Sequence, residues 1–459
     1  MAGTAVDVSE IIERQKPGRF LYGLVALCWV VTFFDGYDSN VIAFAAPYLS
    51  AQYQLDRVMM GNVFSIGLLG TMIGGFTFGY LGDRIGRRPG IVIATVAFGL
   101  LTVSFLFASG YASLLALRLL DGIAVGGMLP LAWALNIEYA PKRLRATVVT
   151  VIMVGYSLGT ALGGPISLWL TPRFGWQSVF VFGGVLSLAA AGALALLLPE
   201  SARFLASKGQ RPAEVARLLG RLTGRPVPAG PGVRFVVGDE AGQARDFTPA
   251  LLFRGRLAAV TPLLWVAYIF SSMTAFFLAT WTPLVFEALH YSRSDAALAG
   301  TLNSLAGAAG GLLLMRFTDT KGSIAITAMP LMAIPLLLVL AFADMGETAF
   351  MALFVVAALF IIGGHFGLHS IAGIFYPSAY RGNGAGWATS VAKIGSIAGP
   401  AVAGWILATN LPVRNIFAVL AICPAVFVVC IAVIGLLHMS MVRQPERDAA
   451  ILPSHSPGR

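Results

Sequence analysis

The sequence predicts an all-α membrane protein of twelve transmembrane helices arranged as two six-helix halves. Three observations carry that reading: how apolar the chain is, how its apolar residues are grouped, and where its Lys and Arg fall. Of 459 residues, 57% are hydrophobic and 11% charged, with a mean hydropathy of +0.81. Soluble domains carry roughly 25% charged residues, so this much apolar surface does not fit inside one water-soluble core.

A spanning helix needs about 20 mostly apolar residues. Twelve runs meet that requirement: 20–44, 58–81, 90–109, 112–138, 147–170, 177–198, 257–285, 296–316, 323–343, 349–374, 385–409 and 413–437. The alternating segments of about ten residues that mark a transmembrane β-barrel are absent from the sequence. The first run is long and no small-residue cleavage site follows it, which reads as a retained helix rather than a signal peptide. Residues 199–256 are the one long polar interruption, with ten Lys or Arg and a Pro/Gly-rich stretch, "RLTGRPVPAGPGVR". The expected organisation is a first half over 1–198, a cytoplasmic linker over 199–256, a second half over 257–438 and a cytoplasmic tail over 439–459.

An even number of spans puts both termini on one side. That side carries 25 of the 31 Lys and Arg; the opposite side carries four (Arg57, Arg173, Arg293, Arg414), and Arg118 and Lys393 lie within spans. The positive-inside rule then places both termini in the cytoplasm. The net charge of +10 is accordingly a topology signal, with some attraction to anionic lipid, and not a nucleic-acid footprint. Cys28, Cys423 and Cys430 all fall in predicted spans, where they read as small packing residues rather than a disulfide framework or metal site.

The halves echo each other. "GTALGGPISLWL" in the fifth span and "GSIAGPAVAGWIL" in the eleventh share small residues and a Gly-Pro pair, and "MRFTDTKG" at the end of the eighth is a weak copy of "GYLGDRIGRR" at the end of the second. Internal repeats with a site at their interface are a common transporter plan, although Gly and Ala in spans also serve close helix packing.

Several polar residues sit where charge is costly. Asp35 and Asp38, in "VVTFFDGYDSNVIAF", lie three residues apart in the first span, with no Lys or Arg between Phe20 and Asp56. Three-residue spacing puts them on one helix face. Two neighbouring carboxyls in a low dielectric do not both ionise cheaply, so one is expected to hold a proton that can be taken up on one side and released on the other; the plainer reading of Asp35 is a structural partner of Arg118. In the fourth span, Arg118, Gly122 and Gly126 recur every four residues along one ridge. An intramembrane Arg usually marks a substrate or ion path, and a snorkelling Arg is the alternative. Glu138, at the end of this span, is expected to pair with Lys142 or Arg145.

"GYLGDRIGRRP" at 79–89 sets Gly79, Asp83, Arg84, Gly86, Arg87 and Arg88 in a short loop. The glycines permit a tight turn, and Asp83 can pair with an Arg or accept from a helix N-terminus of a neighbouring span. Such a contact would hold a gate closed in one state. This spacing resembles the loop between spans two and three of the major facilitator superfamily, and Arg118-x3-Gly122-x3-Gly126 resembles that superfamily's fourth-span signature. "DGYD" is similar to the first-span Asp-Gly-x-Asp of the aromatic acid:proton symporters within it. "YPSAYRGNGAGWATSVAKIGSIAGP" also resembles that family at Tyr376, Pro377, Arg381, Gly384, Gly386, Trp387, Ala388 and Gly395 through Pro400.

The resemblance implies a major facilitator fold and inward transport of a benzoate-like anion with a proton in a bacterial-type inner membrane. It makes Asp35 and Asp38 the required acids, places Arg118 in the central site and assigns Asp83 and Arg84 to the gate. Lys393 stands where the family often has Arg, and His365 and His369 where amides are more usual. The Lys393 ammonium, or Arg118, is expected to offset the substrate's carboxylate. His365 and His369, four apart on one face, are expected to hydrogen-bond a ring hydroxyl or carboxylate rather than hold a metal. Phe34, Tyr37, Trp133, Phe366 and Trp387 are candidates to stack on an aromatic ring.

No enzyme motif stands out: there is no phosphate-binding loop, metal-binding His pair or nucleophile elbow. No cofactor is expected beyond the proton as coupling ion. The expected partners are a small organic anion and membrane lipid, with the chain working as a monomer. The competing readings within transport are a proton-coupled exporter and an importer of a non-aromatic organic acid. A non-transporting sensor is a third class, against which the intact "GYLGDRIGRR" argues.

Overall fold

The computed structural model describes residues 4–209, 211–228, 230, 233–238, 248–255, 257–321, 323–376, 381–409 and 411–451. Eleven of the described helices are long and apolar enough to cross a membrane. The first six are Arg19–Tyr53, Arg57–Ile85, Arg87–Phe107, Tyr111–Tyr139, Lys142–Phe174 and Gln177–Leu197. The seventh, eighth, tenth, eleventh and twelfth spans are Leu257–Ala288, Arg293–Leu314, Glu347–Phe366, Asn383–Leu407 and Asn415–Leu437. The ninth predicted span is the 20-residue helix Ser323–Phe342. The eighth-span echo "MRFTDTKG" lies outside the residues whose side chains are described.

Local chemistry sets the breaks. Asp56 caps the second span, its carboxylate accepting from the Met59 N–H at 2.7 Å. The turn into the third span runs through Gly86 at φ +111, a backbone conformation that favours glycine. The fourth span divides at Gly127 into helices Tyr111–Gly126 and Met128–Tyr139.

The chain forms two compact units. One comprises Met1–Asp246, Phe277–Leu305 and Pro400–Val413; the other comprises Phe247–Phe276, Ala306–Gly399 and Arg414–Arg459. These cut the chain differently from the expected boundaries at 198 and 256, because Phe277–Leu305 and Pro400–Val413, from the seventh, eighth and eleventh spans, cluster with the first six. Within the first unit, Trp281 sits edge-on to Phe64, at a centroid distance of 5.4 Å, and donates its indole N–H to the Pro400 carbonyl at 3.1 Å. Arg57 donates to the Leu407 carbonyl. A side chain on Gly61 would meet that same Pro400 carbonyl.

Glycine explains why the fifth span lies so close to the first. A Cβ on Gly36 would run into the Tyr156 carbonyl, and one on Gly159 into the Phe33 carbonyl. In the second unit, Gly395 of the eleventh span makes the same kind of approach to Ile269 of the seventh. The fifth and eleventh spans therefore echo each other in sequence because each presents glycine to the first span of its own half.

The segment expected as a linker has structure of its own: it contains helices Ala202–Ser207 and Pro212–Thr223 and a strand, Val233–Val236. That strand pairs in parallel with Thr4–Asp7 at the N-terminus. Val8 and Ile12, from helix Val8–Arg14, share a core with Phe204, Leu205, Val215, Leu219 and Phe235. The basic linker composition hid an amphipathic pattern in helix Pro212–Thr223, whose buried face is Val215, Ala216, Leu218, Leu219 and Leu222.

Candidate functional site

Three residues advance a helix by about 300°, so Asp35 and Asp38 point about 60° apart. On a helix packed on several sides, that is enough to give them different neighbours. Asp35 accepts from Ser39 Oγ at 3.4 Å and lies beside Tyr156 of the fifth span. Asp38 faces the third and fourth spans, and its Oδ1 accepts from Thr102 Oγ1 at 2.9 Å. The two acids do not form a side-by-side pair.

Asp38 belongs instead to a cluster with Thr102, Asp121 and Arg118. Arg118 donates from an Nη to Asp121 Oδ2 at 3.0 Å. Thr102 Oγ1 is also 3.4 Å from Asp121 Oδ1, so the Asp38 and Asp121 carboxyls meet at one hydroxyl. All four residues are buried, Asp121 and Thr102 completely. The partner of Arg118 is therefore Asp121, not Asp35. Gly67 of the second span makes room for the guanidinium: a Cβ there would sit 2.9 Å from Arg118 Nε. Asp121 was visible in the sequence, three residues after Arg118 and so on the same helix face. Thr102 gave no sequence signal.

The predicted loop is organised by Arg87. Its guanidinium pairs with Glu138 at 3.0 Å and with Asp83 at 3.0 Å, and donates to the Gly82 carbonyl at 2.9 Å. Glu138 thus pairs with Arg87 and not with Lys142 or Arg145, because the fourth span ends at Tyr139 and the chain turns at Pro141 before the next helix begins. The Asp83 side chain is 73% exposed and caps no neighbouring helix. The carboxylate that does so is Glu200: one oxygen accepts from the N–H groups of Arg87 at 2.9 Å, Arg88 at 3.3 Å and Ser201 at 2.7 Å. Burial pushes the Glu200 carboxyl above its ordinary range despite these three donors, and Glu138 adds to the rise. Arg84 lies over the Tyr80 ring at 4.6 Å, and Arg88 donates to the Ala195 carbonyl at 2.6 Å. Gly79 has open space around its Cα, whereas a Cβ on Gly82 would strike Leu131, so Gly82 is the packing-critical glycine of the pair.

In the second unit, His365 Nδ1 and Ser271 Oγ are 3.0 Å apart. Trp387 stacks on Trp265 at 6.1 Å, Phe366 is exposed, and Lys393 is half-buried on the eleventh span. The side chains of His369 and Arg381 and all of Pro377 lie outside the described residues. Tyr37 is a correction. It is buried against the sixth span and donates its hydroxyl to the Val179 carbonyl at 2.9 Å, so its ring is already packed. Phe34 is partly buried against the first unit's core and edge-on to Phe33. Trp133, also partly packed against that core, has a buried indole N–H with no acceptor among the described residues.

Comparison with known proteins identifies the family. The family model of the Major Facilitator Superfamily matches residues 28–367 and 264–451. The gallate transporter of Pseudomonas putida is 32% identical over 446 residues, 97% of this chain and 98% of that protein. The 4-hydroxybenzoate transporter PcaK of the same organism is 31% identical, over 95% of this chain and 97% of its own. A D-xylose-proton symporter of known structure shares the fold with a TM-score of 0.69 at 18% identity, over 90% of this chain and 97% of that one. These relatives are transporters rather than enzymes, and the chain belongs to the major facilitator superfamily, in its family of aromatic acid transporters.

Proposed function

We propose that the protein imports an aromatic carboxylate of the hydroxybenzoate type together with a proton, by alternating access, across a bacterial-type inner membrane with both termini in the cytoplasm. The observation that carries the coupling is the buried cluster of Asp38, Asp121 and Arg118. Two carboxyls and one guanidinium inside a membrane are neutral only with a proton bound, and an uncompensated buried charge is expensive. Asp35, on the same span, is the second acid assigned to proton transfer. The similarity to gallate and 4-hydroxybenzoate transporters over nearly the whole chain supports the substrate class.

Lys393, on the eleventh span, is the cation assigned to the substrate's carboxylate, and Arg118 is held by Asp121. His365, its ring oriented by Ser271, is assigned to a ring hydroxyl together with His369, and Trp387 and Phe34 to the ring face. Gly79, Asp83, Arg84, Gly86, Arg87 and Arg88 serve the cytoplasmic gate. The unit of function is the monomer, and the proton is the coupling ion.

A monoanion moving with one proton is electroneutral. One pH unit then supplies about 1.4 kcal/mol, roughly tenfold accumulation. The test is uptake of labelled 4-hydroxybenzoate into proteoliposomes, with the pH gradient and the membrane potential imposed separately and a panel of aromatic and aliphatic acids as competitors. Uptake that follows the pH gradient and ignores the potential supports the proposal. Competition by aliphatic acids alone defeats the substrate class, and uptake driven only by the potential defeats the electroneutral coupling.

A further inference from the structure

We infer that the coupling proton is shared between Asp38 and Asp121, on different spans, rather than carried by the first-span pair Asp35 and Asp38. The inference rests on the proton-coupled reading above and names its site. The two carboxyls meet across Thr102, whose hydroxyl donates to Asp38 at 2.9 Å and lies 3.4 Å from Asp121. Asp38 is 2% exposed and Asp121 0%. Asp38 Oδ2 is buried without a hydrogen-bond partner, as is Arg118 Nε. Two acceptor-only carboxylates gain nothing from such proximity, whereas a proton on one makes it a donor to the other.

Among the described residues, the groups around the pair leave no other source of neutrality. The fourth span supplies Arg118, paired with Asp121. The third span supplies Thr102, whose hydroxyl carries a single proton and also lies 2.8 Å from the Phe98 carbonyl. The second span offers Gly67, and no charge, beside the guanidinium. On the first span, Tyr37 lies beside Asp38 with its hydroxyl committed to the sixth-span Val179 carbonyl, and Asp35 turns to Ser39 and the fifth-span Tyr156. Among the described residues no second cation pairs with either acid.

The charge arithmetic is specific. With one proton the cluster of Asp38, Asp121 and Arg118 is neutral; without it the cluster carries one negative charge. The proton arrives from water on the side of uptake, rests between the two carboxyl oxygens during reorientation, and leaves to water on the other side with no other bond made or broken. Replacing either acid by Asn leaves a neutral carboxylate–guanidinium pair that needs no proton. Each single variant is therefore uncoupled, which a purely structural pair would not produce.

Two measurements test this. Infrared difference spectra of purified protein in H2O and D2O read the C=O stretch of a protonated carboxyl with no substrate present. The expected result is a deuterium-sensitive carboxyl band in the wild type at neutral pH that disappears in both Asp38→Asn and Asp121→Asn, persists in Asp35→Asn, and persists in Asp121→Glu. In proteoliposomes, the ratio of accumulation under one pH unit to substrate counterflow falls about tenfold in either Asn variant and recovers in Asp121→Glu. A band that survives in Asp121→Asn, or a coupling ratio that stays at the wild-type value there, overturns the inference. If the wild type moves no aromatic acid, the transport reading has failed, and the carboxyl band still decides who holds the proton.

Discussion

The loop between the second and third spans yields the most quantitative prediction, through Glu200→Ala and Glu200→Gln. The Glu200 side chain takes N–H groups from Arg87, Arg88 and Ser201, two of them at the N-terminus of the third span. Alanine orphans two partly buried helix donors and the buried Ser201 N–H, and hydrogen bonds to charged groups contribute about 1.5–3 kcal/mol each with strong overlap when one oxygen is shared. The expected net loss is about 2–3 kcal/mol. At about 2–4 °C per kcal/mol for a unit of 150–250 residues, the melting temperature falls by about 4–12 °C.

Glutamine keeps an acceptor and should lose less than about 1 kcal/mol. Because burial holds the Glu200 carboxyl above its ordinary range, its favourable contribution is complete below the unfolded-state value and declines as pH rises through the folded one. The Gln variant should therefore gain on the wild type as pH increases. Cys28, Cys423 and Cys430 are free and buried, so a thiol-reactive fluorophore reports unfolding in detergent. Equal melting temperatures for wild type and Glu200→Ala would refute the capping argument, and a Gln variant that loses ground with rising pH would refute the sign.

Gly67→Ala should displace the Arg118 guanidinium and cut uptake at least several-fold, whereas Gly75→Ala, with only an ordinary contact at 3.6 Å, should transport normally; equal rates would show that Gly67 does not cradle the guanidinium. Tyr37→Phe removes one buried hydrogen bond and should cost about 1 kcal/mol of stability, with the substrate KM unmoved. A raised KM would return Tyr37 to the substrate site. Asp7→Ala removes the carboxylate that accepts from Ser9 at 2.8 Å and Gly238 at 3.2 Å, so limited proteolysis should cleave within the first fifteen residues faster than in wild type.

Much of the architecture was legible in the sequence because a bilayer reads composition directly. Length and hydropathy defined the spans, charge asymmetry predicted their orientation, and shared glycine-rich stretches marked the fifth and eleventh spans as echoes of each other. Asp35, Asp38 and Arg118 stood out because a charge in a lipid-facing run has no cheap explanation. Sequence spacing could not say which neighbour each would meet. A 60° rotation around the first span separates the two acids, and only the packing of the third and fourth spans brings Asp38 to Thr102 and Asp121. In the loop between the second and third spans, residue types set the turn and Asp83 pairs with an Arg as one of its two expectations had it, yet the helix-capping carboxylate is Glu200, more than a hundred residues downstream. The folded linker was hidden because its apolar residues are interspersed with Arg, Gly and Pro, and they share their core with Val8 and Ile12 from the other end of the first half. What one residue costs alone in a membrane is written in the sequence. Which partner repays that cost depends on helix rotation and on contacts distant along the chain, and only the tertiary structure decides those.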